Sequence, residues 1–130
     1  MNRLVHFEIH VDDPRRTAAF YTSVFGWKFE QWGEQQYWMV YTAEKDSTEL
    51  GINGGMVPRK GPTPTDGQAV NAYVCTMQVN NIDEIIAKID AAGGTLAVGK
   101  LAFPGMAWQA YYKDTEGNLF GVHQPDTNAK

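Results

Sequence analysis

His6-Phe7-Glu8-Ile9-His10-Val11-Asp12-Asp13-Pro14 opens the stretch whose reading decides the fold, and the stretch runs on through Phe20-Tyr21 to Val24-Phe25-Gly26-Trp27. Residues 4–11 alternate in period two. Val5, Phe7, Ile9 and Val11 point one way, and His6, Glu8 and His10 point the other, which describes a strand with one apolar and one polar face. Asp13 can cap a following helix, and Pro14 suits its first position. The helix is expected to reach about Val24. Ala18, Tyr21 and Phe25 form one apolar row with Phe20 and Val24 beside it, and Gly26 suits a C-terminal cap.

The pattern then returns. A shift of 68 positions, the offset from Val11 to Val79, also lays Ala18 on Ile86, Tyr21 on Ile89 and Gly26 on Gly94. One position less lays Gly54 on Gly121 and Pro58 on Pro125. A repeat of about half the chain implies two fused modules rather than a solenoid. The second opens with a strand over Ala72–Val79, with Tyr73, Cys75, Met77 and Val79 on its apolar face and Val74, Thr76 and Gln78 on the other. Cys75 is expected to be buried packing. Asn81 and Glu84 resemble a capping box, and Ile82, Ile85, Ile86 and Ile89 share one helix face. Gly93-Gly94 ends that helix.

Further strands are expected at Trp27–Trp32, Tyr37–Thr42 and Leu50–Val57, then at Leu96–Leu101, Trp108–Lys113 and Leu119–Gln124. Asp114-Thr115-Glu116-Gly117-Asn118 is a tight turn. Three prolines and two glycines mark Pro58–Gln68 as a linker. The expectation is one α+β domain over residues 1–130, built of two fused βαβββ modules at about 4–57 and 70–125, joined by linker 58–68. A helix covers one face of each sheet. The other faces are concave and polar, and together they would enclose a central cavity, a common place for a ligand.

The bulk numbers agree with a globular domain. The chain has 130 residues, 43% hydrophobic and 20% charged, enough for a real core. A net charge of −4 and no basic run beyond Arg15-Arg16 exclude a nucleic-acid partner. One cysteine cannot form an intrachain disulfide. No apolar run at the start resembles a signal peptide, and no stretch is long enough to span a membrane, so the cytoplasm is the expected location. No nucleophile elbow or phosphate loop is visible.

The stretch from His6 to Trp27, the turn Asp114–Asn118 closing on Gly121, and Gly51-Ile52-Asn53-Gly54-Gly55 together resemble the glyoxalase / bleomycin-resistance / extradiol-dioxygenase superfamily, the vicinal oxygen chelate proteins. The resemblance covers nearly the whole chain and is greatest to short glyoxalase-like members of unassigned function. It implies a divalent metal held by the first and last strands of each module. Carried over position by position, those sites are His6, Val74, Gly54 and Gly121. Valine and glycine side chains cannot ligate a metal, and one histidine does not make a site.

The leading expectation is therefore a small organic molecule bound in the cavity between the modules, with no metal and no other cofactor. Binding or sequestration and a cryptic enzyme both remain open. The ligand-binding candidates are His6, Glu8, Thr76, Gln78, Trp108 and His123. His6 and Glu8 are also the catalytic candidates, since histidine is easily set to act near neutral pH and an inward carboxylate needs a partner or water. His10 is expected at the rim. Trp32 and Trp38 either line the pocket or pack the first module. The alternative is a metal-dependent lyase, isomerase or dioxygenase, lactoylglutathione-lyase-like, with a divalent ion relocated to His6, Glu8 and His123. Two-residue steps along a strand move a ligand by about 7 Å, which weighs against it. A homodimer is the expected assembly, as is common in the superfamily.

Overall fold

A computed structural model describes residues 3–130. The chain divides into two units, Met1–Thr63 and Pro64–Lys130. In the first, β1 (Phe7–Val11) leads into α1 (Pro14–Phe25), followed by β2 (Lys28–Gln31), β3 (Trp38–Tyr41) and β4 (Gly54–Pro58). The second repeats the order with β5 (Cys75–Gln78), α2 (Ile82–Ala91), β6 (Thr95–Phe103), β7 (Ala107–Lys113) and β8 (Leu119–Pro125). Each unit is a four-stranded sheet with a single parallel pair. The orders are β1-β4-β3-β2 and β5-β8-β7-β6. Each unit is therefore βαβββ, and the fold is α+β.

The caps are those the residue types imply. The Asp13 carboxylate accepts from the amides of Arg15 and Arg16, and Pro14 opens α1. Gly26 closes it with φ at 73°, a left-handed conformation that glycine adopts without a Cβ penalty. Asn81 accepts from the amide of Glu84 at the start of α2. Thr17, Phe20, Tyr21 and Val24 are the buried residues of α1. Tyr21 stacks on Trp27 with ring centres 4.9 Å apart, and Trp27 in turn lies 5.8 Å from Phe7 of β1. Val11, Val40 and Met56 complete this core from the sheet. In the second unit Ile82 and Ile89 of α2 are buried, as are Ala110, Tyr112, Phe120 and Val122 of the sheet.

Several strands are shorter than their hydrophobic pattern. The expected strand 4–11 begins only at Phe7, because β4 begins at its partner Gly54 and offers no backbone to residues 4–6. The expected strand Leu50–Val57 is likewise reduced to Gly54–Pro58. Ahead of it, Thr42 donates its amide to Asn53 Oδ1 and its hydroxyl to the carbonyl of Ile52, so side chains replace the ladder there. Ala72–Val79 shortens to Cys75–Gln78 for want of β8 partners.

Cys75 corrects one expectation, since it is exposed. It opens β5, the edge strand of its sheet, and the alternation that suggested burial does not say which strand ends stay uncovered. We expect Cys75 to react with a thiol-specific disulfide reagent in the native protein, to one equivalent and without prior unfolding. Protection until unfolding would contradict its placement.

Among the described residues, no helix is long and apolar enough to cross a membrane.

Candidate functional site

The sheet of the first unit has one face under α1 and one face open. Phe7, Ile9 and Val11 alternate with Glu8 and His10 along β1, and the cross-strand register carries that alternation over the sheet. Glu8 stands opposite Gly55, Gly55 opposite Met39, and Met39 opposite Glu30. The open face thus carries Glu8, His10, Gly55, Met39, Tyr41 and Glu30, flanked by His6, Tyr37 and Trp32.

Gly55 organises this face. A Cβ placed there would overlap the hydroxyl of Tyr37. The absence of a side chain lets the Tyr37 ring lie across the strand, and its hydroxyl meets His6 Nε2 at 2.9 Å. Glu8 faces His10, with Oε1 and Nε2 3.6 Å apart and both side chains about half exposed. Burial first, and then the charge of Glu8, push the Tyr37 phenol above its ordinary pKa. Tyr37 therefore stays neutral near pH 7 and can both donate and accept a hydrogen bond.

The open face of the second unit is built the same way from different residues. Thr76 stands opposite Gly121 and Gln78 opposite His123, while His123 stands opposite Gln109 and Gly121 opposite Tyr111. A Cβ on Gly121 would lie 2.7 Å from Thr76 Oγ1 and 2.8 Å from Gln109 Nε2. Gln109 is buried, with 4% of its surface exposed. Its Oε1 lies 2.8 Å from His123 Nδ1. A carbonyl oxygen accepts, so Nδ1 donates in this contact.

These registers correct the internal alignment. Gly54 stands opposite Phe7, on the helix-covered face. The glycine equivalent to Gly121 is Gly55, since Gly55 faces Glu8 as Gly121 faces Thr76. The pairing of Gly54 with Gly121 was one residue out of register, enough to exchange the two faces of a strand. The chemical consequence stands, because the open-face position is again a glycine.

Of the expected ligand-binding residues, His6 and Glu8 share the first unit's open face, and Thr76, Gln78 and His123 share the second's. Trp108 does not join them. It stands opposite Gln124, on the α2 side of the sheet, where Gln124 accepts from the amide of Ile82. Its indole donates to Asp126 at 3.0 Å and carries the Lys100 ammonium 4.5 Å from its ring centre. Adjacent strand residues alternate faces, so the run Trp108-Gln109 sends the glutamine rather than the indole to the open side. Trp38, opposite Met56, also lies on the helix side. Trp32 lines the first unit's open face together with Tyr37 and Glu30. Tyr37 and Gln109 were not among the expected site residues. Their signal was positional: Tyr37 directly precedes β3 and Gln109 lies on β7, and each side chain lies over a glycine of the neighbouring strand.

The residues do not fit the divalent ion that the fold family implies. Of the four positions, only His6 carries a ligating side chain; the others are Val74, Gly55 and Gly121. The space above Gly55 is occupied by Tyr37, and that above Gly121 by Thr76 and Gln109. Among the described residues, no three His, Cys, Asp or Glu side chains group so that they could hold a metal ion.

Comparison with known proteins agrees with this architecture. The profile of the family described as bleomycin resistance protein-like N-terminal matches residues 3–42. Solved structures superpose over most of the chain. A fosfomycin resistance protein, FosX, from Listeria monocytogenes, in complex with Mn(II) and a dihydroxypropylphosphonic acid, aligns with a TM-score of 0.71 at 19% identity, covering 95% of this chain and 90% of that one. A glyoxalase-related enzyme from Fulvimarina pelagi gives 0.68 at 18%, covering 95% and 88%. A glyoxalase/bleomycin resistance protein/dioxygenase family enzyme from Burkholderia phytofirmans gives 0.68 at 17%, covering 92% and 95%. No curated protein matches the chain by sequence. The chain has the fold of these glyoxalase-like structures, and its residues 3–42 match the bleomycin resistance protein-like N-terminal family.

Proposed function

We propose that this protein binds a small organic molecule against the polar open faces of its sheets, without the divalent ion of its metal-dependent relatives. The observation that carries this reading is the glycine at each open-face ligand position, Gly55 and Gly121, with polar hydrogen-bonding groups folded over both. Tyr37 and His6 serve the first face, and Thr76, Gln109 and His123 the second. Such groups suit the solvation of hydroxyl, carbonyl or amine functions on an uncharged or weakly charged ligand. His6 is the group best placed to move a proton, since Tyr37 holds its Nε2 and Glu8 is close to that phenol. The protein is taken to act as a cytoplasmic homodimer.

The test is a small-molecule screen read by tryptophan fluorescence, repeated in excess chelator. Binding that survives chelation and weakens about tenfold in Tyr37→Phe and in His6→Ala is the expected result, one hydrogen bond in a desolvated site being worth about 1.5 kcal/mol. The second reading is the metal-dependent lyase, isomerase or dioxygenase. It requires binding or turnover that the chelator abolishes and that His6→Ala and Glu8→Ala remove together with the metal.

A further inference from the structure

We propose that the groove on the open side of β2 and β3 selects a protonated amine carried next to an aromatic or apolar group. This rests on the reading that the first unit's open face binds a small organic molecule, and it names the class of that molecule. The groove has a volume of about 540 Å³, and Glu30, Trp32, Tyr37, Met39 and Tyr41 supply most of its lining. The register puts them together. Glu30 faces Met39 across the strand pair, and Lys28 faces Tyr41. Trp32 and Tyr37 flank the turn, where the Trp32 amide donates to the Tyr37 carbonyl at 2.9 Å.

Three features point to a cation. The rings of Trp32 and Tyr37 meet edge to face, with centres 5.9 Å apart, and Trp32 keeps 66% of its surface exposed. An exposed indole and two phenols offer their faces to a ligand, and aromatic faces attract cations. Glu30 is the only ionisable carboxylate in the lining, and no described residue forms an ion pair with it. The lysine on this side, Lys28, is taken by Glu44 at 2.7 Å. The groove is thus aromatic and negative, with no cation among its lining residues. Met39 and the ring edges leave apolar surface for the part of the ligand that adjoins the amine.

The test uses phenethylamine, phenethyl alcohol and hydrocinnamate, which share a phenyl group and differ in charge, titrated into the full chain and followed by Trp32 fluorescence and amide chemical shifts. The amine is expected to bind about fivefold tighter than the alcohol, the range of a cation–π contact at an exposed site, and the carboxylate more weakly than either. Glu30→Gln should narrow the amine's advantage to about twofold, the share left to the aromatic faces, and leave the alcohol unchanged. Trp32→Ala, at an exposed position that tolerates truncation, should weaken both the amine and the alcohol. Raised salt should narrow the difference between them. Equal binding of all three probes, binding of none, or an amine preference undiminished in Glu30→Gln would overturn the proposal. A ligand from the screen that depends on Tyr37 and His6 but not on Glu30 would leave the proposed function standing while this inference fell.

Discussion

Gly54→Ala is expected to destabilise the protein by about 2–3 kcal/mol, whereas its neighbour Gly55→Ala should fold and lose its site. The two glycines are adjacent and face opposite ways. A Cβ on Gly54 would stand 2.5 Å from the carbonyl oxygen of Phe7 and 2.6 Å from its ring. The oxygen belongs to the parallel partner strand, with Phe7 and Gly54 in register. Backbone in a packed ladder cannot step aside, so the strand pair must open or bend. At Gly55 the obstacle is the far end of Tyr37, which can swing away on its own torsions. The hydrogen bond to His6 goes with it. Urea unfolding should show a lower midpoint with an unchanged slope for Gly54→Ala, and near-normal stability for Gly55→Ala. Ligand affinity should fall in Gly55→Ala about as far as in Tyr37→Phe. Equal stability losses in the two variants would contradict the opposed faces.

The second large effect lies in the turn between β7 and β8. Asp114 is 3% exposed. Its Oδ1 accepts from the amides of Glu116 at 2.8 Å and Asn118 at 2.9 Å, and its Oδ2 accepts from Asn118 Nδ2 at 3.2 Å. The backbone amide of Asp114 donates to the carbonyl of Asn118, and Gly117 supplies the left-handed residue with φ at 78°. Asp114→Ala removes the acceptor from two amides that water reaches poorly, at about 3 kcal/mol, because a buried donor left unpaired carries its full desolvation cost. Asp114→Asn retains an acceptor oxygen and should lose about half as much. Thermal and urea unfolding of the pair provide the comparison. Similar small losses in both would mean that the turn is held by its backbone alone.

The turn also shows what was legible in the sequence. Asp114–Asn118, the Asp13 and Asn81 caps and Gly26 are local devices, and each forms where its residues call for it. The repeat is equally local in origin, and Tyr21 and Ile89, its matched helix positions, are both buried. Register was not legible at the same level. Gly54 and Gly55 are alike as letters, and only the pairing with Phe7 and Glu8 decides which one reaches the open face. The same limit explains Trp108 and Gln109. A run with aromatics on both faces has no period-two signal, so the buried glutamine that holds His123 was invisible while the indole drew notice. Tyr37 was placed on a strand but not in a site, because its contact with His6 spans 31 residues and depends on a glycine in a third strand. Cys75 failed differently: alternation predicts a face, and an edge strand need not have that face covered.

In chemical terms the protein keeps a known fold while valine and glycine stand at three of the four positions where the resemblance implies metal donors. The measurement that tests this most directly is the metal content of tag-free protein expressed with Zn, Ni, Mn, Co and Fe available, with His6→Ala prepared alongside. Metal far below one equivalent per chain, unchanged in His6→Ala, is the predicted result. Near-stoichiometric metal that disappears in His6→Ala would contradict it.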